Sequence, residues 1–114
     1  MIKVFGLKTC DKCRNAIKWL KANGVDFEFL DMREKKPSIN LLKHWVGEVG
    51  WELLLNRRSI TWRNLPKDET KNLDSSRALA LFFANPTLIK RPIFEDGEKV
   101  HVGFKAEHMV DFKR

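Results

Sequence analysis

The two cysteines of the chain, Cys10 and Cys13, are the side chains best suited to do chemistry. They form a Cys-x-x-Cys pair in the stretch GLKTCDKCRNAIKWL. In a reducing compartment such a pair is usually catalytic, redox-sensing or metal-binding. A structural zinc site needs four ligands, and the three histidines, His44, His101 and His108, show no paired ligand spacing. The first hypothesis is therefore redox or nucleophilic chemistry, with no metal and no bound cofactor.

Cys10 lies at the junction of a predicted strand and a predicted helix, a position that favours its thiolate. A thiol there is near backbone N–H groups that lack helical partners and near the positive end of the helix dipole. Lys8, Lys12 and Arg14 are close in sequence and add positive charge. Both effects lower the pKa of a thiol, and the thiolate is the nucleophile. We therefore predict that Cys10 is catalytic.

Cys13 allows two interpretations. It follows Cys10 by one helical turn on the same side of the helix, where it can resolve a sulfenate or mixed disulfide formed on Cys10. It also falls on the apolar stripe of Ala16, Ile17 and Leu20, where a free cysteine often packs as a small hydrophobic residue. Cys13 is therefore a second catalytic candidate or a packed side chain.

The segments that must position these cysteines are predicted to form a strand, a helix and a strand. Residues 2–6 are β-branched and aromatic and stop at Gly6, which predicts the first strand. The helix that carries the stripe should end at Asn23-Gly24, a good C-terminal signal. Residues 25–31 alternate apolar and polar side chains and predict a second strand. The connection is long enough for a parallel crossover.

A helical segment follows. Pro37-Ser38 predicts the start of a helix that Gly50 closes. A later helix is predicted to be capped by Ser75 or Ser76 and to end at Asn85-Pro86. Because short basic and polar loops separate these helices, the middle of the chain is predicted to be a helical insert.

The last third changes to a hairpin. The stretch IKRPIF predicts a third strand, Asp96-Gly97 a hairpin turn and KVHVGF the returning strand. A short amphipathic helix with Met109, Val110 and Phe112 is predicted to end the chain. The order βαβ, helical insert, ββα predicts an α/β protein with a thioredoxin-like fold around a mixed four-stranded sheet. We expect a single domain of residues 1–114, with the insert at approximately 38–85.

Arg91 and Pro92 stand at the start of the third predicted strand. A proline there cannot donate to the ladder and is compatible with a cis bond. In a thioredoxin-like layout this loop faces the start of the first helix, so Arg91 would lie near Cys10 and stabilise the thiolate or hold an anion. Without that layout, Arg91 would cap the preceding helix or lie in solvent.

Length and composition indicate one soluble domain with a basic surface. The 114 residues are 43% hydrophobic and 32% charged, with a formal net charge of +7. No apolar run approaches a membrane span and the N-terminus lacks a secretory signal, so we expect a full-length, cytoplasmic protein outside the membrane. The charge favours anionic partners. Three arginines lie around Trp62 in one loop: Arg57, Arg58 and Arg63. This loop either binds an anionic ligand or nucleic acid through its phosphates, or it is a solvated loop with Trp62 packed inward.

Several motifs give the sequence a family resemblance over essentially its whole length. They are G-x-K-x-C-D-x-x-x-x-A near the N-terminus, GWELLLNRRSITWRNL in the middle, NPTLIKRPI, and the ending VHVGF. In these motifs the chain resembles the arsenate-reductase-related family, the ArsC/Spx/YffB group of thioredoxin-fold proteins. It looks most similar to the YffB branch, small thiol reductases related to arsenate reductase.

The resemblance implies a thiol-dependent oxidoreductase with Cys10 as the nucleophile. Arginines hold the oxyanion in arsenate reductases of this family, and the matching positions are Arg14, Arg91 and Arg58, with Arg57 as the alternative to Arg58. A small thiol or an oxyanion is the implied substrate, and an external thiol, glutathione or glutaredoxin, is the implied reductant. We expect the protein to be a monomer.

Two features depart from the family pattern. Arsenate reductases carry a further arginine after the final hairpin, whereas this chain has none between Arg91 and Arg114. The resemblance therefore supports the thiol chemistry more strongly than arsenate as the natural substrate. The YffB branch commonly lacks a cysteine at the place of Cys13, whereas the Spx branch uses such a pair as a redox switch. A Spx-like, redox-controlled regulator that binds RNA polymerase is therefore the alternative function.

Overall fold

The computed structural model describes residues 1–105, 109, 111 and 112 of the chain. The described residues form two compact units. The sheet unit comprises Met1–Lys35 and the described residues from Arg91 onward, and the helical unit comprises Lys36–Lys90. Within these ranges no helix is both long enough and apolar enough to cross a membrane. Both cysteines and Arg91 belong to the sheet unit.

Four strands form the sheet: β1 (Ile2–Gly6), β2 (Phe27–Asp31), β3 (Ile93–Asp96) and β4 (Lys99–Val102). Their order across the sheet is β2-β1-β3-β4. β1 is parallel to β2 and antiparallel to β3, and β3 is antiparallel to β4. The predicted mixed four-stranded sheet of the thioredoxin-like type is therefore confirmed.

The strand boundaries show where the sequence signals were reliable. β1 covers residues 2–6, as predicted, and the hairpin turns at Gly97, whose φ of 63° suits a glycine. β2 begins later than predicted because the Val25 N–H is bound to the Leu20 carbonyl at the end of the preceding helix (3.0 Å). β3 begins only at Ile93, because Pro92 has no N–H to give to a ladder.

Helix α1 (Asp11–Ala22) carries its apolar stripe against the sheet. Cys13, Ala16 and Leu20 are buried, at the spacing of one helical face. The helix ends at Asn23 as predicted, and Gly24 follows with a φ of 65°. Because Cys10 is the N-cap residue, the burial of this stripe sets where the Cys10 sulfur lies.

The core of the sheet unit lies between α1, the sheet and the C-terminal segment. It is formed by Ile2, Val4, Ala16, Leu20, Phe94, Met109 and Phe112. The rings of Phe94 and Phe112 lie 5.0 Å apart between centroids, and burying each ring contributes about 1.5–3 kcal/mol. Met109 and Phe112 come from the predicted final helix, whereas Val110 and His108 lie outside the described residues.

The helical unit consists of short helices joined by tight loops. They are α2 (Ile39–Val49), α3 (Trp51–Leu54), α4 (Ile60–Asn64), α5 (Lys67–Thr70), α6 (Ser75–Ala84) and a 3₁₀ turn (Pro86–Leu88). Its largest fully buried side chains are Trp45 of α2 and Phe82 of α6. The predicted helical character of this segment is thus present.

The helix caps of this unit confirm one prediction and correct another. Ser38 caps α2 by accepting a hydrogen bond from the Leu41 N–H (3.1 Å). The cap of α6 is Asp74, which accepts from the Arg77 N–H (2.8 Å), so the prediction of Ser75 or Ser76 was wrong. Aspartate is as good an N-cap residue as serine. With Asp74 as the cap, the helix begins at Ser75.

Candidate active site

Cys10 lies at the first turn of α1, and its backbone is held from both sides. Its N–H donates to the Leu7 carbonyl (3.1 Å), and its carbonyl accepts from the Arg14 N–H (3.0 Å). The residue has extended backbone angles, as an N-cap residue should, and its side chain is partly exposed. Cys10 therefore lies at the helix start, as predicted.

The surroundings of Cys10 lower the pKa of its thiol below the ordinary value. Partial burial alone would raise that pKa, because it removes water from the thiolate. The backbone N–H of Cys13, the Cys13 thiol and the Arg91 side chain outweigh burial because they present donors to the sulfur, and the Lys12 N–H adds to them. These donors all favour the charged form.

Cys13 is completely buried, and its pKa is raised to about 12. Burial is the main cause, and the neighbouring Cys10 sulfur adds to it, while the Leu7 N–H and the Arg91 charge act in the opposite direction. The Cys13 thiol therefore stays protonated, and its S–H is the donor in a hydrogen bond to the Cys10 sulfur. Cys13 is packed on the apolar stripe, as one of its two interpretations predicted. It also contacts Cys10, while its role as a resolving thiol stays a prediction.

Gly6 leaves the space that the Cys13 sulfur fills, a role that no predicted site residue covers. A Cβ atom at position 6 would collide with the Cys13 Sγ and would also touch the Phe29 ring. A clash of that size with a side chain buried in a packed core is not relieved without a shift. A glycine at the end of the strand that precedes a cysteine helix is the sequence signal for this close approach.

Arg91 lies beside Cys10, as the thioredoxin-like layout predicted. It precedes a cis peptide bond to Pro92, which is fully buried. The Pro92 carbonyl accepts a hydrogen bond from the Gly103 N–H (2.8 Å). From this loop the Arg91 side chain reaches the Cys10 sulfur and brings a positive charge to both cysteines. Cys10, Cys13 and Arg91 thus form one cluster.

The other predicted arginines, Arg14 and Arg58, have their described contacts within their own segments of the chain. Arg14 is exposed, and its guanidinium is paired with the Asp11 carboxylate on the same helix. Arg58 belongs to the helical unit, where its N–H donates to Asn56 Oδ1 (3.1 Å) and its carbonyl accepts from Arg63 (3.2 Å). Their role in holding an anion stays a prediction.

Arg57, the alternative to Arg58, has a different contact. Its guanidinium lies over the Trp62 ring, 5.9 Å from the ring centroid. This is the distance of a cation–π interaction. Within the helical unit both arginines are exposed, and Arg57 contacts the Trp62 ring.

The chain has known relatives along nearly its whole length. The ArsC family profile matches residues 5–112. An uncharacterized protein of Haemophilus influenzae is 40% identical over 107 residues, which are 94% of each chain. The global transcriptional regulator Spx 1 of Lactococcus lactis is 29% identical over 114 residues, covering 98% of this chain and 88% of that protein.

Solved structures of similar proteins also match nearly the whole chain. The YffB (PA3664) protein is 32% identical, with a TM-score of 0.95 and full coverage of both chains. An arsenate reductase (ArsC) related protein from Brucella melitensis is 35% identical, with a TM-score of 0.79 over 97% of this chain and 92% of that one. The family profile, these relatives and the shared fold show that the chain belongs to the ArsC family.

Proposed function

We propose that this protein is a thiol-dependent oxidoreductase in which the Cys10 thiolate attacks an oxidised sulfur or an oxyanion. The observation that carries the proposal is the convergence of Arg91 and the Cys13 thiol on the Cys10 sulfur at the start of α1, which lowers the pKa of Cys10. A partly exposed thiolate next to a guanidinium can both attack a substrate and hold its negative charge. Membership of the ArsC family supports the same class of chemistry.

The proposed reaction on a disulfide substrate is a thiol–disulfide exchange. The Cys10 thiolate attacks one sulfur of R–S–S–R′, forms Cys10–S–S–R and releases R′S⁻. Cys13 then attacks the Cys10 sulfur, which releases RS⁻ and leaves a disulfide between Cys10 and Cys13. Two molecules of an external thiol, for which we propose glutathione, reduce this disulfide and leave as glutathione disulfide. A glutaredoxin would supply the same two electrons.

The electrostatics of the cluster suit this order of steps. While Cys10 is ionised, its charge and its hydrogen bond help to raise the pKa of Cys13. Once Cys10 is part of a mixed disulfide, both of these contributions are gone. The Leu7 N–H and the Arg91 charge remain, and both favour the Cys13 thiolate. Arg91 would therefore serve the first thiolate and then the second.

The pH dependence of Cys10 alkylation tests this proposal. In wild type the rate of reaction with iodoacetamide should reach half its maximum below the ordinary thiol pKa of about 8.5. In Arg91→Ala the rate of Cys10 alkylation at pH values below the pKa of Cys10 should fall about tenfold. The reason is that a hydrogen bond to a charged group contributes about 1.5–3 kcal/mol. Mass spectrometry of the alkylated peptide assigns the signal to Cys10.

Lys18→Ala is the matched control for this experiment. It removes one positive charge from an exposed position of helix α1, which follows Cys10. It should therefore leave the alkylation profile of Cys10 unchanged. A wild-type midpoint at about 8.5, together with a rate no faster than that of a model peptide, would refute the proposal.

A second candidate function is favoured by the similarity to Spx regulators over nearly the whole chain. In that case the Cys10–Cys13 pair would switch binding to RNA polymerase. The two candidates differ in a pull-down from native extract with oxidised and with reduced protein. The oxidoreductase proposal predicts no retention of polymerase in either state. Retention in one state only, lost in Cys13→Ser, would instead support the regulator.

A further inference from the structure

The carboxylate of Asp31 holds the loop that leads into Cys10. Asp31 is the last residue of β2 and pairs with Gly6, the last residue of β1. Its Oδ2 accepts a hydrogen bond from the Lys8 N–H (2.9 Å). Its Oδ1 accepts from the Arg33 N–H (2.8 Å) and, at longer range, from the Glu34 N–H (3.4 Å). One carboxylate therefore ties the β1–α1 loop to the turn after β2.

The Leu7–Lys8 peptide group connects Asp31 directly to Cys10. Its N–H, from Lys8, donates to Asp31, and its carbonyl, from Leu7, accepts the N–H of Cys10 (3.1 Å). A peptide group is planar and rigid, so a hydrogen bond on its N–H also fixes the direction of its carbonyl. The orientation of the Cys10 backbone therefore depends on a carboxylate that lies on another strand.

We propose that Asp31 is a positioning residue for Cys10: by holding the Lys8 N–H it fixes the Leu7–Lys8 peptide, and thereby keeps the Cys10 sulfur aligned with the N–H groups of α1 and with Arg91. The proposal rests on the proposed function of Cys10. Asp31 makes no contact with the sulfur in the described structure and acts only through the backbone. The N–H groups that donate to Asp31 also lower its pKa and keep it ionised, and that of Lys8 has the largest effect.

The charge of Asp31 and its hydrogen bond would affect Cys10 in opposite directions. A negative charge disfavours a nearby thiolate, so loss of the charge alone would lower the pKa of Cys10. Loss of the alignment would weaken the donors that stabilise the thiolate and raise that pKa. The groups that contact the sulfur itself are Arg91, Cys13 and the Lys12 N–H. The sign of the change therefore separates the two effects.

The test compares Cys10 alkylation against pH in wild type, Asp31→Ala, Asp31→Asn and Glu34→Gln. In Asp31→Ala the rate at pH 6–7 should fall about fivefold, with an unchanged limiting rate at high pH, since only the thiolate fraction changes. An asparagine has one carbonyl oxygen and can replace only one of the two accepting oxygens. Asp31→Asn should therefore give an intermediate profile.

Glu34→Gln is the control for charge. It removes the ion pair between Glu34 and the Lys8 ammonium (2.6 Å), in which both side chains are mostly exposed. Such a pair contributes little to stability, and the bond from the Lys8 N–H to Asp31 remains. The Glu34→Gln profile should therefore coincide with that of wild type.

Amide hydrogen exchange provides the second readout. In folded Asp31→Ala the amides of Lys8 and Cys10 should exchange at least about tenfold faster, while the Phe5 amide within β1 stays protected. Should the alanine variant fail to fold by circular dichroism, the asparagine variant carries the test.

A folded Asp31→Ala variant that keeps the wild-type alkylation profile, or shifts it to lower pH, would overturn the proposal. So would an Asp31→Asn variant whose Lys8 amide exchanges faster while its alkylation profile is that of wild type. An ordinary thiol profile in wild type would instead refute the proposed function, so the two failures are distinguishable.

Discussion

Replacing Cys10 with serine is expected to abolish the thiol chemistry of the protein, by at least about a thousandfold, because a serine hydroxyl is not ionised near neutral pH. The measurement is mass spectrometry after mild peroxide and then glutathione. Peroxide oxidises Cys10 to a sulfenic acid, which condenses with a thiol to a disulfide and water. Cys10→Ser should show neither a glutathione adduct nor an internal disulfide.

Wild type and Cys13→Ser complete this experiment. In wild type the Cys13 sulfur contacts the Cys10 sulfur, so we expect a disulfide between them. Cys13→Ser has no second thiol and should accumulate glutathione on Cys10. A persistent glutathione adduct in wild type would mean that an external thiol resolves Cys10. An adduct on Cys13 in the Cys10→Ser variant would contradict the assignment of the nucleophile.

Gly6→Ala is expected to destabilise the protein by about 2–3 kcal/mol, because the new methyl group would collide with the buried Cys13 sulfur. For a chain of this length that corresponds to a melting temperature lower by about 10 °C. Urea unfolding of the reduced protein gives the free energy. The displaced Cys13 thiol should also react with alkylating reagents faster than it does in wild type, where it is buried.

The double variant Gly6→Ala/Cys13→Ala tests the cause of this destabilisation. Removing the sulfur should restore most of the lost stability, so that the double-mutant cycle shows a coupling of at least about 1 kcal/mol. Gly47→Ala is the matched control, because a Cβ there meets no atom within 4 Å and the residue lies inside helix α2. It should be neutral or slightly stabilising. Additive effects at positions 6 and 13 would show that the destabilisation has another cause.

Local signals in the sequence were sufficient for most of the elements that position the site. β-branched and aromatic residues placed β1, Asn23-Gly24 ended α1, and Asp96-Gly97 placed the hairpin turn. These signals depend on a few neighbouring residues, so the sequence contains them completely. The errors arose at the ends of elements, where neighbouring residues can each be the first residue or the cap. The Asp74 cap replaced the serines, and Pro92 delayed β3.

The cluster around Cys10 was only partly predictable. The helix-start position of Cys10 followed from the local pattern, whereas the proximity of Arg91 followed only from an assumed thioredoxin-like layout. That layout depends on the antiparallel pairing of β1 with β3, which joins segments far apart in the chain. The arginines of the helical unit show the limit of such reasoning, because their motif match gives no position relative to Cys10.

The sequence by itself determined that the chain has a cysteine at the start of a helix, a second cysteine one turn later, and a sheet to hold them. Only the tertiary structure decided what Cys13 does there. It is buried, it keeps its proton, and it contacts Cys10 in a space that Gly6 leaves open. The Asp31 contact with the loop before Cys10 was likewise absent from any local pattern. The reason is physical: helix and turn signals act between near neighbours, whereas the pKa and packing of a thiol depend on atoms that the folded chain brings from distant strands.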